Sequence, residues 1–403
     1  MQLVRFPVEL RSNHHICPRN VLLTWRCNLF TLDGYPTQII FALARCLFVS
    51  MPAKVIHDNV WGDILVSELA LSIVNSPEFQ RLHFIHQTGC AFKVFPTART
   101  SRFEHSLGAY YVTGLLLEHI FQQQPDVKKQ IPYDPEWIKI AALCHDIGHG
   151  PFSHSFDKAL GTHHEERSVT VTRSILERIQ CSTEMIESVV TLIDPPSKKL
   201  PWYATLVKNK CHGIDVDKLD YIPRDNLAFG LKLNVDVNRI IRNTLVVDDE
   251  LCFCDRIKDE IFNLFFVRYR LHRDVYSHPK VLALDILIQE IIRTTCKDFQ
   301  LSWTDVTVLA HCPDTSLVRL FTEGRGRWRL TSGENTIPTA TKIVKVNPSF
   351  YSEGVQGHPL SKVQVFSRKT QTLSKRYLET SEYSIFARGP VEEELEYSFH
   401  RID

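Results

Sequence analysis

The sequence predicts a mostly α protein, a helical core followed by a small α+β carboxy-terminal lobe, and three observations support the architecture. From Lys54 to about Phe299, apolar residues recur at intervals of three and four, the period of helices that bury one face. Beyond residue 300 the texture changes to short β-branched alternations set apart by Gly, Pro and Ser. The 403 residues, 44% hydrophobic and 23% charged, suffice to bury a full core.

Residues 1–52 mix Cys17, Cys27, Cys46, several prolines and short apolar bursts without a sustained period, and form a poorly patterned amino-terminal extension. They lack the charged start, apolar centre and cleavage site of a secretory signal, and Met51 is an alternative start. Residues 53–299 form the expected mostly α domain. Its helices are expected at Ile64-Leu65-Leu69-Leu71-Ile73 before Pro77, at Leu107 to Phe121, Ile138 to Leu143, Val169 to Ile179 and Ile257 to Leu271. Gly148-His149-Gly150-Pro151 and Asp194-Pro195-Pro196 punctuate them. Residues 300–403 form a small mixed lobe, with strands at Lys342 to Val346 and Lys362 to Phe366 and an exposed loop at Thr322 to Arg327.

Several function classes are excluded by composition. Lys+Arg 47 against Asp+Glu 46 leaves no global basic surface, so any polyanion site must be local. The 11 cysteines are scattered without CxxC pairs, which favours reduced thiols in an intracellular protein of the nucleus or cytosol. No apolar run reaches the roughly 18 residues of a membrane span, and the best, Ile39 to Val49, carries Arg45.

The chemistry concentrates in Cys144-His145-Asp146-Ile147-Gly148-His149-Gly150-Pro151-Phe152-Ser153-His154. An adjacent His-Asp pair offers one imidazole nitrogen and one carboxylate oxygen, mixed ligation that suits a hydrolytic divalent ion. His105 upstream and Asp217 downstream lie among core-like neighbours and complete a set of two imidazoles and two carboxylates. His149, four residues after His145, is expected on the same helical face, with His154, Asp157 and His164 folding back as proton carriers. Arg102, Lys218 and Arg268 are candidate partners for phosphate charge. Each has a plainer alternative: Asp217, Asp220 and Asp225 as a solvated helix face, Tyr221 and Tyr276 as core aromatics, and Arg268 to Arg273 as a surface charge run.

The separate His105, the pair His145-Asp146 and the distant Asp217 resemble the pattern of the HD-domain superfamily. Phe79-Gln80-Arg81-Leu82, Val94-Phe95-Pro96, Arg102-Phe103-Glu104-His105-Ser106-Leu107-Gly108, Gly213-Ile214-Asp215-Val216-Asp217-Lys218 and Leu271-His272-Arg273 further resemble the animal SAM-and-HD-domain deoxynucleoside triphosphate triphosphohydrolases, over residues 53 to 295, without the SAM domain.

The resemblance implies cleavage of a dNTP to deoxynucleoside and inorganic triphosphate. It implies one divalent transition metal (Fe, Mn or Zn) on His105, His145, Asp146 and Asp217, and Mg with the substrate phosphates. It further implies catalysis by His154 with His149, His164 and Asp157, a triphosphate clamp of Arg102, Lys218 and Arg268, and sugar contacts from Gln87, Tyr221, Asp225 and Tyr276. A GTP or dNTP activator would meet Lys54, Val55, Gln80, Val94 and Phe95 in a homo-oligomer, dimer or tetramer. The resemblance makes residues 53–299 an HD phosphohydrolase domain and residues 300–403 an abbreviated regulatory or oligomerisation lobe. Departures are Thr88, Asn75 and His83, Pro223 two residues past Tyr221, and a short stretch between about 300 and 340. Pro223 is expected to kink its helix and shift Asp225. Alternatives are an HD phosphohydrolase acting on monophosphates or cyclic nucleotides, or a non-catalytic paralogue that binds nucleotide or single-stranded nucleic acid through Arg325 and Arg327.

Overall fold

A hairpin, Lys54–Asp58 against Gly62–Val66, opens the described part of the chain where the apolar spacing had suggested helix. Ile64 and Val66 are fully buried while Leu65 between them is exposed, a period of two rather than 3.6. Ser67 then caps a helix over Glu68–Val74, accepting from the Ala70 amide. The computed structural model describes residues 54–196, 200–299, 314, 327–330, 341–346, 359–367, 374–379, 382 and 395–402. The expected extension 1–52 and the loop over 322–326, with Arg325, lie outside the described residues.

The mostly α expectation holds. The Arg102–Gln123 helix is the hub, started by a capping box in which Ser101 and Glu104 satisfy each other's backbone amides. It packs on Glu136–Cys144, on Val216–Phe229 and on the hairpin strand Gly62–Val66. Ile138, Ile140, Ala141, Ala142, Leu143 and Cys144 are all fully buried, so the Glu136–Cys144 helix runs through the core. The expected helices at Val169 to Ile179 and Ile257 to Leu271 appear as His164–Arg178 and Lys258–Leu271.

The helix does not continue to His149. It ends at Cys144, with His145 as its cap, and His145 to Gly148 form a turn, so the two histidines share no helical face. Buried cations catch the carbonyls that the turn releases: Arg81 donates to those of Ile147 and His149, and Arg167 to that of Gly148 at 2.9 Å. Gly148 is required here, because a Cβ would overlap the backbone at His164 and Ser168.

The Val216–Phe229 helix is capped by Asp215 and continues through Pro223 to a left-handed Gly230. Around the core, Thr244–Val247, Glu250–Cys254, Gln364–Phe366 and Lys375–Tyr377 form a four-stranded sheet in that order, with a parallel central pair. The second expected strand is therefore shorter than its alternation suggested, because Pro359–Lys362 makes a 3₁₀ turn. The first appears as Thr341–Val346, paired with Leu395–Ile402 in a three-stranded antiparallel sheet with Arg327–Leu330. Among the described residues no helix is long and apolar enough to cross a membrane.

The loop that leads into Val216–Phe229 depends on a neutral histidine. His212 is buried, its Nδ1 accepts from the Ile214 amide at 3.1 Å, and burial followed by the Lys218 charge lowers its pKa to about 4. The folded value lies below the ordinary 6.5, so the unfolded chain binds the proton first and stability falls as pH drops from 6.5 towards 4. That loss amounts to about 3 kcal/mol for this group. Urea unfolding of His212→Asn, which keeps an acceptor without a titrating ring, is expected to show a flatter stability profile than wild type across this window.

Candidate metal centre

Two helices and one turn bring four ligand atoms together. His105 comes from the first turn of Arg102–Gln123, His145 and Asp146 from the break after Glu136–Cys144, and Asp217 from the first turn of Val216–Phe229. His105 Nε2 lies 3.2 Å from Asp217 Oδ1, 3.3 Å from Asp146 Oδ2 and 3.3 Å from His145 Nε2. His145 Nε2 is 3.6 Å from each carboxylate. Such spacings suit atoms that share one ion at roughly 2.0–2.2 Å each, and the four residues can hold a metal together.

Both imidazoles are tethered at Nδ1 so that Nε2 faces the centre. His145 Nδ1 lies 2.7 Å from the Ala142 carbonyl, and His105 Nδ1 lies 2.7 Å from Asp220 Oδ2. Asp220 is itself gripped by Arg224, Nε at 2.9 Å, and by the Trp61 indole at 2.5 Å, while Arg224 donates to Asp58 at 2.7 Å in the hairpin turn. This lattice is buried, and Asp220 is fully so. Gly108 lets it form, since a Cβ there would overlap the Asp220 carboxylate.

Three carboxylates, Asp146, Asp217 and Asp220, converge on the His105 ring. Burial would lower the His105 imidazole, but Asp146, Asp217 and Asp220 outweigh it and hold it well above its ordinary range. Burial would raise Asp146 and Asp217, yet Arg102, His145 and His149 around the first, and His105 and His145 around the second, hold both well below the carboxylate range. A pocket that keeps its carboxylates ionised in the dark interior favours a cation.

A second group adjoins the first through Asp146, whose Oδ1 lies 3.4 Å from His149 Nε2 and 3.7 Å from His164 Nε2. His149 stacks on His164 at 3.8 Å between ring centroids, and His164 Nδ1 meets Asp157 Oδ2 at 3.0 Å, with Arg167 also on Asp157. His149 is fully buried, both its ring nitrogens lack a hydrogen-bond partner, and burial with Arg102 and His164 holds it well below its usual range. His154 stands at the rim with 63% of its side chain exposed, 3.9 Å from Asp157. His149, His154, Asp157 and His164 also have ligand atoms close enough to share an ion.

The other expected site residues divide. Arg102 is buried and ion-paired with Asp146, its Nε 3.0 Å from Ser153 Oγ and its Nη2 3.2 Å from the Gln87 carbonyl. Lys218 lies 3.2 Å from Asp215. Lys218 and Arg268 both act on the Tyr221 phenol, which burial raises, and Arg268 and His154 both act on His272. Asp225 remains buried despite Pro223, accepts from the Tyr276 hydroxyl, and is raised by burial to about 6. The solvated-face alternative is overturned for Asp220 and Asp225, because charged partners or a phenol accompany each inside. Arg268 is buried, not part of a surface run.

Lys54, Val55 and Gln80 are exposed, Val94 and Phe95 half-buried. No hydrogen bond or ion pair links these five: Gln80 donates to the Val74 carbonyl and Phe95 packs edge-on to Phe229. Asn75 and His83 are exposed, with His83 stacked on Phe103 at 3.5 Å. Sequence reasoning missed Asp58, Trp61, Arg81, Arg167 and Arg224 as supports. Gly108 and the four-residue spacing of Asp220 and Arg224 were their visible signals.

Residues 102–228 match the HD domain family. It is 36% identical over 299 residues to an HD domain-containing protein of Acanthamoeba polyphaga mimivirus, covering 66% of this chain and 64% of that protein. It is 34% identical over 274 residues to the deoxynucleoside triphosphate triphosphohydrolase SAMHD1 of Homo sapiens, 59% of this chain and 44% of that one. With the SAMHD1 homolog of Dictyostelium discoideum it shares 32% over 250 residues, 59% and 48% of the two chains. The chain thus spans about half the length of these SAMHD1 relatives.

Two substitutions test the tether. Asp220→Asn is expected to weaken metal binding about 10–100-fold in chelator competition. Gly108→Ala is expected to do the same and to lower the thermal midpoint, because a Cβ there displaces the Asp220 carboxylate and leaves buried Arg224 with Asp58 as its remaining carboxylate partner.

Proposed function

We propose that the chain is a metal-dependent hydrolase that converts a deoxynucleoside triphosphate and water to deoxynucleoside and inorganic triphosphate. The observation that carries this is the convergence of His105, His145, Asp146 and Asp217 beside the clustered His149, His164 and Asp157, with the exposed His154 at the rim. The names of the SAMHD1 relatives support the substrate class. The four ligands would hold one divalent transition metal, Fe, Mn or Zn, which when bound supplies Lewis acidity towards a phosphoryl oxygen and a water. Magnesium would accompany the substrate phosphates.

The chain's own groups divide the remaining work. Arg102, Lys218 and Arg268 would neutralise the triphosphate, more positive charge than a monophosphate needs. Water attacks the α-phosphorus, its proton passing to the His149–His164–Asp157 group. The bond from phosphorus to the 5′-oxygen breaks, and His154 protonates that oxygen. Gln87 Oε1 and Asp225 Oδ1 are buried acceptors without partners, suited to sugar hydroxyls. The Tyr221 ring under C2′, with Tyr276 near it, would reject a ribose by a clash with the 2′-hydroxyl.

Activation by GTP or a dNTP through Lys54, Val55, Gln80, Val94 and Phe95, in a homo-oligomer, belongs to the same proposal. An exposed Asn75 offers guanine one acceptor and one repelling donor, which weakens guanine preference. The division at residue 299 between catalytic domain and carboxy-terminal lobe is likewise part of it.

The test is incubation with each dNTP, Mn²⁺ or Mg²⁺, with and without GTP, and resolution of products by ion exchange. Deoxynucleoside and triphosphate are expected, absent from His145→Ala/Asp146→Ala, and His154→Ala is expected to lower kcat about 100-fold or more. Metal-loaded protein that consumes no dNTP would overturn the proposal.

A further inference from the structure

His154 follows two residues in an unusual backbone state. Phe152 and Ser153 have φ of 60° and 54°, a region costly for residues that carry a side chain. Such a turn persists only where its surroundings fix it, and here a single carboxylate from far along the chain takes part. Asp314 is fully buried, and its Oδ1 accepts from the Phe152 amide at 2.6 Å. Its Oδ2 accepts from the His86 amide at 2.9 Å and lies 2.6 Å from His86 Nδ1, while its own amide donates to the Phe84 carbonyl at 3.0 Å. The Ser153 hydroxyl closes the ring by donating to the His86 carbonyl at 2.7 Å.

Asp314 thereby joins two segments that both reach the site. One is the turn immediately before His154. The other is the loop whose next residue, Gln87, lends its carbonyl to Arg102. We propose that Asp314 is a positioning residue: its carboxylate clamps the left-handed Phe152-Ser153 turn to the His86 loop and so sets where the His154 imidazole stands relative to Asp157 and the metal centre. The proposal rests on the assignment of His154 as the acid in dNTP cleavage. Asp314 lies in the stretch between 300 and 340 that the resemblance assigned to regulation, and its carboxylate meets the turn just before His154.

Substitution by Asn places an NH₂ against the His86 donors or the Phe152 donor, and one of them loses its acceptor. His86→Phe removes only the ring bond and keeps the stack on Phe92, now 4.2 Å between centroids. Both full-length variants, with Asp314→Glu as the conservative replacement, are compared with wild type. The readouts are amide hydrogen exchange over residues 150–156, diethyl pyrocarbonate reactivity of His154, metal content, thermal unfolding and steady-state kinetics.

In Asp314→Asn, exchange over 150–156 is expected to rise and kcat to fall at least about tenfold, with KM for the dNTP within about twofold and metal content unchanged. Asp314→Glu is expected to recover part of kcat, and His86→Phe to show a smaller change of the same kind. Wild-type kcat in Asp314→Asn, or protection lost evenly over the whole chain, overturns the proposal. If Asp314→Asn does not fold, His86→Phe carries the same readouts. If wild type itself cleaves no dNTP, the assigned reaction fails separately, and the clamp is then judged by exchange and His154 reactivity, where wild-type values in both variants overturn it.

Discussion

The hydrogen bond from His105 Nδ1 to Asp220 is the constraint on which the rest of the centre depends. It fixes the ring so that Nε2 points at Asp146, Asp217 and His145, and it joins the first turn of one helix to the second turn of another. A buried carboxylate is tolerable only when its charge is answered, and Arg224 and the Trp61 indole answer it. Asp58 answers Arg224 in turn. The hairpin is therefore tied electrostatically to the metal-binding geometry although it supplies no ligand.

A second constraint is the broken helix. Continuing Glu136–Cys144 would have pointed His145 and Asp146 away in succession around a cylinder. The turn instead folds Asp146 between two histidine groups, one oxygen near His105 and the other near His149 and His164. Turning the chain leaves carbonyls unbonded inside the protein, and Arg81 and Arg167 supply the missing donors.

Much of this was legible in the sequence. The helical period located the long helices because they bury one broad face, and His105, His145, Asp146 and Asp217 stood out as polar groups amid apolar neighbours. The hairpin was misread, since Leu65, Leu69 and Ile73 happen to satisfy helical spacing across a strand, a cap and a helix. The break after Cys144 was misread too, because its cause is tertiary: Gly148 presses on the helix that begins at His164, and Arg81 lies more than sixty residues earlier. Asp220 looked like a surface charge because charge alone does not disclose a buried partner.

The parallel pairing of Glu250–Cys254 with Gln364–Phe366 has a consequence for the chain's biogenesis. The inner strand and its hairpin partner leave the ribosome more than a hundred residues before the strand that covers them. Until then, Cys252, Cys254, Leu245 and Val247 form an apolar patch beside an open strand edge, and Phe366 later completes that cluster. A nascent or truncated chain ending before residue 364 therefore presents a template for non-native strand addition, and the short strand Gln364–Phe366 acts as the cover that removes it.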